Sequence, residues 1–127
     1  MRNLKILIID DDVTTCSLLE TILQMEDHQT VSANDVGVEG IIPLLDKENP
    51  QLLILDFHLR SKETIDYVVV IRANEKWNHL AILMTSAIDR RDDCLRAGAN
   101  DFILKPFNWQ QITNIVSKIS EKLEVRN

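Results

Sequence analysis

The feature that most constrains this chain is a short run, Leu52-Leu53-Ile54-Leu55, that passes straight into Asp56. Apolar residues in so brief a run after Asn49-Pro50 are too few for a helix and too continuous for a strand with one wet face. They read as a parallel strand buried on both sides. The pattern recurs. Ile6 to Ile9 runs into Asp10-Asp11-Asp12, Ala81 to Thr85 into Ser86, and Asp101 to Leu104 into Lys105. Parallel strands of one sheet bring their ends to one edge, and in open α/β sheets the crevice beyond the carboxyl ends is where ligands bind. Each polar group alone is explained as a cap or a solvated rim charge; their joint occurrence predicts a shared pocket.

Gln29 to Ala33 is more polar and reads as a strand toward a sheet edge. Helical spacing fills the intervals. A helix from Val13 to about Met25, with Asp12 as its cap, turns Leu18, Leu19, Ile22, Leu23 and Met25 inward. The next is expected from Val36 to about Lys47, kinked or ended early by Pro43. The third spans about Ile65 to Asn74, with Ile65, Val68, Val69 and Ile71 inward. Asp89 to Ala97 is closed by Gly98, and Asn108 caps a last helix to about Val125 that buries Trp109, Ile112, Ile115, Val116, Ile119 and Leu123. Five strands alternating with five helices give an α/β fold, a single doubly wound domain over 1–127. The charged end from Glu121 is expected either to fray or to lead into a longer protein.

A net charge of −6 and a pI near 5.0 argue against binding of a nucleic-acid backbone, which draws on Lys and Arg. There is no apolar run long enough to span a bilayer, and Met1-Arg2-Asn3-Leu4-Lys5 lacks the pattern of a secretory signal, so a cytoplasmic protein is expected. Cys16 and Cys94 are far apart and read as half-buried helix thiols; His28 and His79 read as surface residues.

Gathered at one edge, Asp10, Asp11 and Asp56 against Lys105 leave uncompensated negative charge in a small volume, which a divalent cation would relieve. Carboxylate oxygens suit Mg²⁺. One of the carboxylates could then attack phosphorus, with Lys105 and the metal spreading charge on the transferring group.

Ile-Ile-Asp-Asp-Asp at 8 to 12, Leu-Leu-Ile-Leu-Asp at 52 to 56, Leu-Met-Thr-Ser-Ala at 83 to 87 and Lys-Pro-Phe at 105 to 107 resemble the receiver domain of bacterial two-component response regulators. The resemblance covers nearly the whole chain and implies a flavodoxin-like fold with five-stranded parallel sheet order 2-1-3-4-5. It implies a signalling switch, not a turnover enzyme. Asp56 would be the phosphoacceptor, charged by a sensor histidine kinase or a histidine phosphotransfer protein. Mg²⁺ (or Mn²⁺) would be bound by Asp11 directly, Asp10 through water, Asp56, and the backbone carbonyl of His58. Ser86 and Lys105 would bond phosphoryl oxygens, and Phe102 falls at the aromatic switch position. His58 and Ile88 flank the phosphoryl position; a branched apolar Ile88 is expected to slow loss of the phosphoryl group. Output would come from another protein or from a domain outside this sequence, and phosphorylation-dependent homodimerisation is left open.

The chain departs from the family pattern in the loop after Asp56. Arg60 stands where a proline is usual and Ser61-Lys62-Glu63-Thr64 where a glycine is, so a less rigid loop is expected. Two other readings stay open: a phosphorylation-independent interaction module on the same fold, and a Mg²⁺-dependent phosphohydrolase with an aspartyl nucleophile. Against the latter, His58 occupies the place of its second acid. A flavin or nucleotide site is disfavoured because none of the 3 glycines follows the first strand.

Overall fold

A computed structural model describes residues 3–126; Met1, Arg2 and Asn127 of the expected 1–127 domain lie outside the described residues. The elements are β1 (Lys5–Ile9), α1 (Val13–Met25), β2 (Gln29–Ala33), α2 (Ile41–Glu48), β3 (Leu52–Asp56), β4 (His58–Leu59), β5 (Lys62–Glu63), α3 (Ile65–Arg72), β6 (Ala81–Ser86), α4 (Arg91–Ala97), β7 (Asp101–Leu104) and α5 (Trp109–Arg126). The large sheet is parallel in the order β2-β1-β3-β6-β7, which is 2-1-3-4-5 when its own strands alone are counted. The expected fold class is thereby met.

Strand alternation divides the core in two. Leu7, Ile9, Leu53, Leu55, Ile82, Met84 and Phe102 face one side, where α2, α3 and α4 pack. Ile6, Ile8, Leu52, Ile54, Leu83 and Ile103 face the other, against α1 and α5. Every residue of β3 and of β6 is buried, as their unbroken apolar runs require, whereas β2 lies at the edge and is half-exposed. Full burial of one such Leu or Ile side chain contributes about 1.5–3 kcal/mol, so these two strands anchor the domain.

Several local expectations are corrected. The second helix begins at Ile41, after Gly40 at φ +96°, so Pro43 falls in its first turn. There its missing N–H would have had no intrahelical partner, and neither kink nor early end results. Val36 is buried in the preceding turn and Val38 is exposed. On α3 the inward positions are Val68 and Ile71, three apart, which carries Val69 round into solvent. Leu18, Met25 and Trp109 are also exposed, bordering a surface groove with Phe107 instead of filling the core. The fourth helix starts at Arg91, not Asp89, whose carboxylate accepts from the Arg91 N–H.

His28 is buried, not at the surface: its Nδ1 accepts from the Leu4 N–H at 2.9 Å. Both thiols are free and buried. Gly98, at φ +120°, closes α4 as expected, and a Cβ there would come within 2.9 Å of the Arg72 side chain. Asn108 caps α5 reciprocally with Gln111, each side chain accepting from the other's N–H. The charged end is helical to Arg126.

Candidate functional site

Register brings the site together. Ile9 pairs with Leu55, so the next residues, Asp10 and Asp56, stand side by side where β1 and β3 end. Ladder-like bonds continue past the neighbouring strands: Phe57 N–H donates to Thr85 O at 2.8 Å and Lys105 N–H to Ser86 O at 2.8 Å. Asp10, Asp56 and Lys105 share the strand parity of the α1–α5 face, and Ser86 shares that of Met84 and Phe102 on the other. The pocket therefore straddles the sheet edge.

Lys105 reaches across it. Its Nζ donates to Asp10 Oδ2 at 2.9 Å and lies 3.4 Å from Asp56 Oδ2. Asp10 is also held by the Asp12 N–H on its other oxygen at 2.9 Å. Both acids are buried, at 2% and 7% exposure. Burial first, then the charge of Asp10, push the Asp56 carboxyl up to about 6, against the pull of Lys105. Burial works to lower the Lys105 ammonium, but the bond to Asp10 and the charge of Asp56 outweigh it and its pKa is raised. One cation thus serves two acids. Asp11 is exposed on the turn into α1, yet an oxygen of Asp10, Asp11 and Asp56 each lies within 4.8 Å of the others. Three hard carboxylate donors at that spacing fit a divalent cation.

Ser86 is buried, its Oγ accepting from the Ile88 N–H at 3.1 Å, while the Ile88 side chain is 57% exposed. Phe102 is packed inward in the core beside Met84. His58 opens the small β4–β5 hairpin, its Nε2 4.0 Å from Glu63. Each anticipated residue is thus at the rim or directly behind it.

Two participants were not anticipated. Thr64 is fully buried and its hydroxyl donates to Asp56 O at 2.7 Å, tying the loop's far end to the end of β3. Arg60 N–H donates to Asp11 Oδ2 at 2.7 Å. The loop, expected to be less rigid, folds as a hairpin with one tie at its turn and one just beyond its second strand. A threonine just before a helix is a signal for Thr64, though it reads as a cap; a main-chain donor such as Arg60 carries none beyond its not being proline.

The chain matches the model of the response regulator receiver domain over residues 6–117. It belongs to that family. It is 30% identical to the chemotaxis protein CheY of Pseudomonas aeruginosa over 123 residues, 94% of this chain and 98% of that one. It is likewise 30% identical to chemotaxis protein CheY-3 of Vibrio cholerae, over 96% of this chain and 95% of the relative. Among solved structures, a putative response regulator from Chloroflexus aurantiacus superposes with a TM-score of 0.84 at 28% identity, covering 94% and 99% of the two chains. NtrX from Brucella abortus gives 0.85 at 25% identity; this chain is covered to 98% but spans 28% of that longer protein. The receiver is the two-component system's phosphorylation-dependent switch, and that is the function class of this chain.

Proposed function

We propose that Asp56 accepts a phosphoryl group from the phosphohistidine of a sensor histidine kinase or histidine phosphotransfer protein. The observation that carries this reading is Lys105 Nζ shared between Asp10 and Asp56, with Asp11 completing an acidic triad of cation-binding size. Mg²⁺, or Mn²⁺, would be held by Asp10, Asp11 and Asp56 with the His58 backbone carbonyl. Bound there, it would offset the acids' repulsion, keep Asp56 ionised and neutralise phosphoryl oxygens.

The residues themselves then account for the transfer. An Asp56 oxygen forms the new P–O bond while the P–N bond to the donor imidazole breaks, its electron pair staying on nitrogen. Lys105 and the Ser86 hydroxyl bond the phosphoryl oxygens as charge develops. The Ser86 oxygen accepts from the Ile88 N–H, which leaves its O–H to donate to a phosphoryl oxygen after a shift toward that group. Its movement would free the space that Phe102 monitors from the core side, giving the switch two arrangements. The protein catalyses only its own phosphorylation and dephosphorylation. The output is a separate protein or domain, and a phosphorylation-dependent homodimer is compatible with the switch. A cytoplasmic location, alongside such a donor, belongs to the same proposal. The acidic composition supports no nucleic-acid contact by this domain, and no helix among the described residues is long and apolar enough to cross a membrane.

The test is incubation with Mg²⁺ and a small phosphodonor. One added phosphate is expected by mass spectrometry, and none when Mg²⁺ is chelated beforehand or in Asp56→Asn. Partner binding that ignores phosphodonor and Mg²⁺ would instead favour a passive interaction module, and sustained phosphoester turnover a hydrolase.

A further inference from the structure

We infer that Arg60 is a positioning residue for the cation ligand Asp11, acting through its main-chain amide and not its side chain. The inference rests on the reading of the acidic triad as a cation site. Asp10 and Asp56 are buried at strand ends, and Asp10 has two donors besides, so both are fixed by the fold. Asp11 is exposed on a turn, where a carboxylate samples several rotamers and a fixed direction needs a partner. The Arg60 N–H supplies it at 2.7 Å, in the range of charge-assisted bonds.

The amide is aimed there by the hairpin. His58 pairs with Glu63 and Leu59 with Lys62, leaving Arg60 and Ser61 as a two-residue turn. Arg60, its first central residue, has φ +60°. That is the position where a type II′ turn favours glycine. A proline, usual at this point in the family pattern, could supply neither that φ nor the N–H. Arg60 thus places a donor where the family pattern has a residue with none, and the donor reaches the least constrained of the three acids.

The bond and the cation are compatible. A carboxylate offers about four acceptor sites, and the three acids already lie within 4.8 Å of one another with the amide in place. Hydrogen bonds to ligating carboxylates orient them, and losing such a partner commonly weakens metal binding about 10- to 100-fold. The same hairpin carries the His58 carbonyl, so one tie registers two of the four protein ligands.

The experiment is Mn²⁺ binding to the full chain, read from the free-ion signal in electron paramagnetic resonance, with Mg²⁺ as competitor. Arg60→Pro is expected to weaken binding by about 10-fold or more. Arg60→Gly, which keeps both the amide and access to φ +60°, should rescue wild-type affinity. Equal or tighter binding by folded Arg60→Pro overturns the inference while the wild-type affinity leaves the cation site standing. Arg60→Gly as weak as Arg60→Pro also overturns it, because the side chain would then matter. A wild type that binds no Mn²⁺ sinks the site itself and the inference with it. Amide hydrogen exchange in the unmodified protein is independent of whether the proline variant folds: saturating Mg²⁺ should preserve or deepen protection of the Arg60 N–H, and loss of protection would show the bond yielding to the ion.

Discussion

At the foot of the sheet, where the strands begin, main-chain groups beyond the ladder are closed by neutral side chains and one arginine. His28 accepts from Leu4 N–H, Gln51 from Lys5 N–H and Asn100 from Ile82 N–H, at 2.9, 3.0 and 2.7 Å. Arg72 donates to the carbonyls of Gly98, Asn78 and Leu80 and to the Asn100 side chain. At the rim, where the same strands end, two buried carboxylates share one ammonium and a third acid stands close by. The foot pairs these main-chain groups without accumulating like charge. The rim accumulates it, a cost that the proposed phosphoryl transfer and cation binding would account for. Stability and function are thus concentrated at opposite ends of one set of strands.

The largest effect that tests this division is at the foot. Arg72→Ala would leave three carbonyls and the Asn100 side chain without their charged donor, a loss of about 3–5 kcal/mol in urea unfolding. Phosphorylation of the remaining folded protein should be unchanged. A small loss of stability, or a specific loss of phosphorylation, would show that the foot is not the structural end.

Asp56→Asn probes the rim with the opposite sign. The Asp56 carboxyl is raised above its unfolded value, to about 6, so its ionisation disfavours the fold: the contribution is intact below about pH 4 and lost as pH rises through about 6. In chelator, the variant should therefore exceed the wild type in stability by about 1–3 kcal/mol above that pH, and the gap should close on acidification. Added Mg²⁺ should narrow it by binding the wild type more tightly. Absence of a gap in chelator would mean that Lys105 alone balances the rim.

His28 supplies the matching experiment at the foot. Burial lowers its pKa, and its Nδ1 can accept from Leu4 only while unprotonated there. A histidine lowered on folding contributes stability that is present above its unfolded value, near 6.5, and lost as pH falls below it. His28→Gln retains an acceptor without that titration, so the wild type should lose stability relative to it below about pH 6.5. His28→Leu removes the acceptor and should cost about 1–2 kcal/mol at neutral pH. Parallel pH curves for wild type and His28→Gln would remove the histidine from the account.

Legibility in the sequence follows the same geography. Runs such as Leu52–Asp56 disclose both a buried strand and the polar group at its end, because burial on two faces forbids polar residues until the strand stops. The rim side chains are therefore readable from residue order alone. Helix faces are less so: Leu18, Met25, Val69 and Trp109 fit an apolar period yet lie in solvent, since periodicity does not say how wide a stripe the neighbours cover. The foot is largely hidden. His28 and Arg72 act on main-chain groups that include distant ones, Leu4 and Gly98, and nothing in their local sequence marks those partners. Arg60 is harder still, because its contribution is an N–H common to every residue but proline.

The smallest expected effect separates side chain from scaffold at the rim. Ile88 keeps Ser86 in place through its own N–H, a bond that any residue but proline retains, while its side chain is exposed and, by the family resemblance, flanks the proposed phosphoryl position. An attacking water approaching opposite the leaving carboxylate finds no polar partner there. Ile88→Glu or Ile88→Asn should supply one and speed decay of the phosphorylated form by up to about 10-fold, equivalent to about 1.4 kcal/mol of barrier. Stability should stay within about 0.5 kcal/mol of the wild type because the replaced side chain is largely in solvent. Decay followed after removal of the phosphodonor decides it. Unchanged decay would show that the Ile88 side chain does not control the water; faster decay at constant stability would show that the rim's kinetics can be retuned without drawing on the interactions that hold the strands together.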